Sequence, residues 1–301
     1  MKRKMVRDEG LLFCEFINEK EAIGLSKQSI TNYKKVYKIF VKQIGKKIDK
    51  NSFEKWVHMM IYSGMNSISI NFYITQLKVF VNWLIQYGYC EPFVIKKIRT
   101  QEPPLKILND EEIGLLLEKP AFKSSFVVFR SWVIVNFILG TGARASTVMN
   151  IRVGDIDFVN KDIRYTHLKN KKSAIVPLSN SLERVLKLYL NSWEIGNGFL
   201  FPDIHGGQLT LNALEQSLRK YSRSRGVKYK GAHALRHTFA KKYIVNGGNA
   251  FVLQRLLTHS DLSMTKKYVH LFSDDLKKNY DDMCPLDSFQ KSSVLIKRKS
   301  N

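Results

Sequence analysis

Cysteine is scarce in this sequence, which contains three, Cys14, Cys90 and Cys284, among 301 residues. They are far apart, their number is odd, and none of them forms a C-x-x-C motif. Disulfide frameworks and structural zinc sites need paired or closely grouped cysteines, so the sequence predicts neither. This cysteine content favours the reducing cytoplasm, and no pattern in the chain indicates a metal or an organic cofactor.

Long apolar segments are also missing. The longest apolar stretch, residues 126–139, contains Arg130 and Asn136. It is too short and too polar to span a bilayer, so it predicts a buried core helix rather than a membrane anchor. The basic N-terminus lacks the apolar run of a secretory signal, because Arg7, Asp8 and Glu9 interrupt it. Together these features predict a cytoplasmic protein with no membrane partner.

Acidic residues are few relative to basic ones: 26 Asp and Glu accompany 49 Lys and Arg, which gives a formal net charge of +23. Such an excess favours a polyanionic partner, above all double-stranded DNA. A ribosome-associated protein and a membrane-surface protein share this composition and stay open as alternatives. The hydrophobic share of 44% is that of a globular chain, and the length allows two domains.

The first third of the chain has the spacing of amphipathic helices, with apolar residues three and four positions apart. Ser26 is a predicted N-cap and Gly45 a predicted end of the helix that contains Ile30 and Phe40, and Asn51 is a predicted start of the next helix. Many lysines lie off the apolar stripes, which favours a phosphate-facing surface, although solvent exposure explains any single lysine equally well. The predicted helices cover residues 8–22, 26–45, 51–64 and 67–87.

A domain boundary is predicted at Pro103 and Pro104, which no continuous helix tolerates. Asn109 followed by Glu112 is a capping-box start for the helix after it. The predicted organisation is a helical DNA-binding domain (1–98), a linker (99–106), a second domain (107–285) and a basic, disordered tail (286–301).

The second domain is predicted to combine helices with a small sheet. A buried helix from Phe126 ends at Gly140 and Gly142, and Ser146 is a predicted cap for the helix that follows. Further helices are predicted at residues 180–191 and, capped by Thr210, at 211–224. Short β-branched or aromatic segments at 155–158, 162–167 and 173–176, around turns at residues 160–161 and 170–171, predict three strands. The fold class is therefore mainly α with a small antiparallel β-sheet.

The stretch from His233 to Tyr268 contains the side chains that are suited to a reaction at a phosphate. His233 and Arg236 share one face of a predicted helix that Gly247 and Gly248 end, and a second apolar helix precedes His259. An arginine fork grips phosphate oxygens, histidines bind phosphate or move protons, and a tyrosine can become a covalent nucleophile. Each residue alone has an ordinary explanation as a cap, an ion-pair partner or half-buried packing, so only the complete set indicates function.

That complete phrase resembles the C-terminal signature of the tyrosine recombinases, the lambda-integrase and Xer family. Its pattern is H-x-L-R-H-T-F-A, then L-L-G-H-S, then T-x-x-Y. The match comprises His233, Leu235, Arg236, His237, Thr238, Phe239, Ala240, Leu256, Leu257, His259, Ser260, Thr265 and Tyr268. The departure is Thr258, where the family usually has glycine.

The resemblance implies further site residues. The family phrase T-G-x-R-x-S is matched at residues 141–146, which makes Arg144 the first catalytic arginine. Thr147 stands where the family usually has an acidic residue that supports the site, so the rate of the reaction is in question. The catalytic lysine of the family precedes a V-P-L phrase and corresponds to Lys169, with Lys171 and Lys172 as competitors.

The resemblance also implies a mechanism and an assembly. Tyr268 attacks a DNA phosphate, Arg144 and Arg236 hold its oxygens, Lys169 protonates the leaving oxygen, and His233 and His259 orient the phosphate. Residues 1–98 become a core-binding (SAM-like) domain that closes with the catalytic domain as a C-shaped clamp around DNA. Joining two duplexes implies a homotetramer on DNA, with accessory DNA-bending proteins as further candidate partners.

The biological role and the class stay open at this level. The sequence at residues 247–270 favours an integrase that inserts and excises a mobile element. The alternative is a Xer-like chromosome or plasmid dimer resolvase. A type IB topoisomerase-like enzyme shares the same chemistry. A catalytically weak DNA-binding relative is a further alternative, for which Thr147 is the one sign.

The charge of the chain predicts that phosphate contacts dominate DNA binding. With about six to ten such contacts, affinity falls by about 10³ to 10⁵ between about 50 and 200 mM salt, because binding releases condensed counterions. A gel-shift titration at several salt concentrations measures this slope. A response that is flat with salt contradicts the assignment of nucleic acid as the partner.

Overall fold

The computed structural model describes residues 8–100, 104–121, 123–166 and 173–258. The chain divides into two compact units, Met1–Pro103 and Pro104–Asn301. The division falls between two prolines, which remove backbone donors and prevent a helix from running from one unit into the other. In the described residues, no helix is long and apolar enough to cross a membrane.

The first unit contains helices that begin and end at the capping residues of its sequence. Ser26 accepts a hydrogen bond from the Ser29 amide, and Gly45 ends the second helix with a φ of 112°. The third helix begins earlier than predicted, because Asp49 rather than Asn51 is its N-cap and forms a capping box with Ser52. The helices are α1 (Glu9–Ala22), α2 (Lys27–Ile44), α3 (Lys50–Tyr62) and α4 (Ser67–Gln86).

Aromatic side chains fill the core of this unit. Phe16, Phe40 and Trp56 have no exposed surface. The chain after α4 folds back along it, since the Asn71 side chain donates to the Ile98 carbonyl and accepts from the Ile98 amide, both at 2.9 Å. This pair of bonds keeps the segment up to residue 98 attached to the first unit.

The second unit confirms the predicted class, helical with one small antiparallel sheet of order β1-β2-β3. Asn109 and Glu112 form the predicted capping box, and Thr210 caps its helix as predicted. The helices are α5 (Asp110–Leu117), α6 (Phe126–Thr141), α7 (Ala145–Asn150), α8 (Asn180–Ser192), α9 (Leu211–Ser224), α10 (Ala232–Val245) and α11 (Ala250–Leu256); the strands are β1 (Ile156–Asp157), β2 (Asp162–Tyr165) and β3 (Ala174–Pro177).

Helix α6 is at the centre of this unit, as its largely apolar sequence predicts. It packs against α5, α8, α9 and α10, and Val133, Phe137 and Ile138 are fully buried. Arg130 is buried within the same helix and donates to the Pro202 carbonyl. A helix that is largely buried and packs against four others supplies a fixed frame for the loop that follows its C-terminus.

The sheet is smaller than predicted. Strands β1 and β2 pair antiparallel, and β2 pairs with β3 in the register Ile163 opposite Val176. The turn between β1 and β2 contains Lys161 at a φ of 56°. The second predicted turn, at residues 170–171, and the candidate Lys169 lie outside the described residues.

The predicted cap at Ser146 is wrong. Arg144 is the N-cap of α7, with extended backbone and no side-chain cap bond, and Ser146 lies inside the helix. The reason is spacing: α6 ends at Gly142, and the chain resumes a helix only three residues later.

Gly142 ends α6 in a left-handed conformation, with a φ of 67°. A Cβ at this position would lie 2.5 Å from Phe239 Cδ1 and 2.7 Å from Leu257 Cδ2. The residue therefore meets two demands: a positive φ, and close approach of α10 and of the residue after α11 to the end of α6.

We expect Gly142→Ala to destabilise the second unit by about 2 to 4 kcal/mol, from left-handed strain of about 1 kcal/mol and overpacking of about 1 to 3 kcal/mol. Gly226→Ala is the matched control, because Gly226 has a φ of 70° and no heavy atom within 4 Å of its Cβ position. Urea unfolding of both variants measures the difference. Equal losses in the two variants contradict the close-packing argument.

Candidate active site

Arg144 is placed by the loop that joins α6 to α7. The left-handed Gly142 turns the chain, Ala143 is buried, and Arg144 follows as the half-buried N-cap of α7. Its guanidinium donates from Nη1 to Thr258 Oγ1 at 2.5 Å and from Nη2 to the Thr258 carbonyl at 3.3 Å. The side chain is therefore directed towards the end of α11.

Arg236 extends from α10 and is only 2% exposed. Its Nη1 donates to the Gly142 carbonyl at 2.6 Å, and its Nη2 donates to the Leu257 carbonyl at 2.7 Å. A buried guanidinium needs partners for its donors, and these two backbone carbonyls accept two of its hydrogen bonds.

The two arginines meet at the same short region. Arg236 binds Leu257 and Arg144 binds Thr258, the residues that end α11 and directly precede His259 in the sequence. Paired guanidinium groups on a fixed backbone feature are suited to hold the oxygens of a phosphate.

His233 lies three residues before Arg236 on α10 and is exposed. Partial burial of the ring, followed by the charges of Arg236 and Arg144, lowers the pKa of His233, and the Glu215 carboxylate opposes these effects. Both arginine charges therefore lie within electrostatic reach of His233. The shift keeps the imidazole uncharged near pH 7, so it offers a neutral hydrogen bond to an anion.

His237 packs edge-on against His233, with ring centroids 4.5 Å apart. Burial, then the neighbouring His233 and the charge of Arg236, lower the pKa of His237 to about 4. A second neutral imidazole therefore supports the first without adding repulsion between positive charges.

Glu215 of α9 places a carboxylate near His233. The Tyr229 hydroxyl donates to Glu215 Oε2. The Arg219 guanidinium lies 5.8 Å from the centroid of the Tyr229 ring. Burial, followed by the hydrogen bond to Glu215, raises the pKa of Tyr229. Sequence reasoning missed Glu215 and Tyr229, because neither belongs to the recombinase phrase and their proximity arises only from the packing of α9 beside α10.

The structure thus brings Arg144, His233 and Arg236 together. The other predicted site residues, Lys169, His259 and Tyr268, lie outside the described residues. Thr147, at the position where an acid is expected, is buried in α7 and 6% exposed.

Thr258 was noted in the sequence only as a departure from glycine, and its contact with Arg144 was missed. Its φ of 51° lies in the left-handed region. The departure itself was the available signal, since a position that usually carries glycine is often one that needs a positive φ.

Comparisons with known proteins match this chain to a family model and to named relatives. A family model described as the phage integrase family matches residues 106–274. The tyrosine recombinase XerA of Saccharolobus solfataricus is 27% identical over 288 residues, which cover 91% of this chain and 92% of the relative. The tyrosine recombinase XerC of Oceanobacillus iheyensis is 29% identical over 285 residues, covering 89% of this chain and 93% of the relative.

Solved structures share the fold at lower identity. The Tn1549 transposon integrase, in complex with a circular intermediate DNA, superposes with a TM-score of 0.72 at 19% identity and covers 86% of this chain and 94% of that one. A lambda integrase dimer bound to a COC′ core site gives a TM-score of 0.68 at 15% identity, with the same coverage. The family model spans more than half of the chain, and the chain therefore belongs to the phage integrase family of tyrosine recombinases.

Proposed function

We propose that this protein is a site-specific DNA recombinase that cuts and rejoins DNA through a 3′-phosphotyrosine intermediate. The observation that carries the proposal is the arrangement of Arg144, Arg236 and His233. Two guanidinium groups are anchored at the end of α11, and an uncharged imidazole lies beside them. This arrangement is suited to a phosphodiester, whose two non-bridging oxygens share one negative charge.

In the proposed reaction the phenolic oxygen of Tyr268 forms a bond to phosphorus, and the bond from phosphorus to the 5′-oxygen breaks. The phenol gives its proton to a neighbouring base, for which His259 is the candidate. Arg144 and Arg236 stabilise the charge that develops on the non-bridging oxygens. Lys169 gives a proton to the leaving 5′-oxygen, and His233 and His259 orient the phosphate. One phosphodiester is exchanged for another, so strand rejoining is the same reaction reversed and needs no nucleotide hydrolysis.

For the partners we propose double-stranded DNA recombination sites and a homotetramer, with accessory DNA-bending proteins as further candidates. The net charge of +23 supports the DNA partner. The tetramer follows from the chemistry, because exchange between two duplexes breaks four strands and each protomer supplies one Tyr268.

For the biological role we propose integration and excision of a mobile element. The second candidate is Xer-type resolution of chromosome or plasmid dimers, which the names of the relatives favour. Mapping covalent protein–DNA junctions across the host genome tests the choice. Junctions at the ends of a mobile segment support integration, and junctions at a single chromosomal site support resolution.

The nucleophile gives the sharpest test of the proposed chemistry. A tyrosine hydroxyl has a reference pKa of about 10, so it reacts only with a phosphate that the arginines have already neutralised. We expect Tyr268→Phe to bind its DNA site normally and to form no denaturant-resistant adduct on a nicked suicide substrate. Tyr243→Phe and Tyr280→Phe are the controls and should still form the adduct. An adduct with Tyr268→Phe moves the nucleophile elsewhere.

The proton donor is tested with a modified leaving group. Lys169→Ala should slow cleavage of ordinary DNA, and the rate should recover on a substrate with sulfur at the 5′-bridging position, because a thiolate leaves without a proton. Lys171→Ala and Lys172→Ala serve as matched controls in the same assay. If one of these two shows the sulfur rescue and Lys169→Ala does not, the lysine assignment is wrong.

A further inference from the structure

Thr258 has an unfavourable backbone conformation for its residue type. Its φ is 51°, and in the described residues only Lys161 shares a positive φ among non-glycine residues. A β-branched side chain in this region crowds its own backbone, which is why glycine dominates the position just after a helix. Thr258 follows the last turn of α11, where its amide donates to the Arg255 carbonyl at 2.9 Å. Glycine would make the same backbone bond without strain.

What threonine adds is a hydroxyl that glycine lacks. Arg144 donates to this hydroxyl at 2.5 Å and to the carbonyl of the same residue at 3.3 Å. Both terminal nitrogens of one planar guanidinium therefore contact one residue, and this fixes the rotation of the plane as well as its position. Loss of the hydroxyl removes the shorter of these two bonds.

Thr258 directly follows a residue that is buried and hydrogen-bonded. The preceding residue, Leu257, is fully buried and its carbonyl accepts from Arg236 at 2.7 Å. Arg236 also binds the Gly142 carbonyl at 2.6 Å, two residues before Arg144. The hydrogen bonds of Arg236 and Arg144 thus connect the end of α6, α10 and the residues after α11, and Thr258 is one of the acceptors.

We propose that Thr258 is a positioning residue for Arg144, and that its hydroxyl fixes the guanidinium in the orientation that receives the scissile phosphate. The left-handed conformation is the cost of placing this hydroxyl at the end of α11. The proposal rests on the proposed recombinase function, in which Arg144 binds the phosphate. Thr258 does not react; it acts through Arg144.

Three substitutions separate the hydroxyl from the backbone. Thr258→Ser keeps the hydroxyl, Thr258→Ala removes it and keeps a Cβ at positive φ, and Thr258→Gly removes both. We expect the rate of single-turnover cleavage of a suicide substrate, measured at saturating DNA, to stay near the wild-type rate in Thr258→Ser. We expect it to fall about tenfold in both Ala and Gly, because a hydrogen bond from a charged donor is worth about that factor or more. The unfolding midpoint of Thr258→Gly should exceed that of Thr258→Ala, because glycine relieves the strain of the positive φ at this position.

This pattern distinguishes positioning from a purely structural contact. If Thr258 only held α11 in place, cleavage would follow stability, and the more stable Gly variant would cleave faster than Ala. Lys161→Gly is the control for strain relief away from the site, since Lys161 has a φ of 56° in the turn between β1 and β2. Its cleavage rate should not change. Wild-type cleavage in Thr258→Gly, or cleavage in Ser as slow as in Ala, overturns the proposal.

A second measurement needs no DNA chemistry. Nitrogen-15 NMR of arginine side chains reports rotation of the guanidinium, and rotation slows when the group is held by hydrogen bonds. In the DNA-free full chain we expect slow rotation for Arg144 in wild type and Ser, and faster rotation in Ala and Gly. Equal rotation in all four proteins overturns the proposed role of Thr258. Because this readout is independent of Tyr268, it fails or succeeds separately from the recombinase assignment.

Discussion

A buried cation determines the construction of the candidate site. The Arg236 guanidinium is almost fully enclosed, and the carbonyls of Gly142 and Leu257 accept its hydrogen bonds. A buried charge without partners is strongly destabilising, so these two carbonyls have to be brought to it from residues 94 and 21 positions away in sequence. The end of α6 and the end of α11 are thereby held against α10.

Several local features follow from this requirement. The end of α6 can approach only because Gly142 has no side chain, since a Cβ there would overlap Phe239 and Leu257. The same approach places Arg144, two residues later, where its guanidinium meets Thr258. The two arginines are then held by one packing arrangement, through the backbone carbonyls and the Thr258 hydroxyl that accept their hydrogen bonds.

The electrostatics of the region suit an anionic substrate. Burial, followed by the charges of Arg236 and Arg144, lowers the pKa of His233. Burial, then His233 and Arg236, lowers that of His237, so the histidines add hydrogen-bonding capacity without adding positive charge near pH 7. The Glu215 carboxylate opposes this shift at His233, from a position held by the Tyr229 hydroxyl. A phosphate bound here, as proposed above, would add a negative charge beside the two arginines.

The sequence alone predicted most helix ends and supplied the candidate residues of the site. Helix ends at Ser26, Gly45, Asn109 and Thr210 were predictable because capping bonds span only three or four residues. Arg144, His233 and Arg236 were recognisable from short phrases. The start at Asn51 was predicted wrongly, because Asp49 is an equally suitable cap two residues earlier. The cap at Ser146 was predicted wrongly, because α7 begins three residues after Gly142 and has no side-chain cap bond. Only the tertiary structure decided that Arg144 bonds to Thr258, 114 residues away, and that Glu215 lies near His233. Such contacts depend on how α6, α9, α10 and α11 pack together, and no local pattern of residues encodes the distance between side chains on different helices.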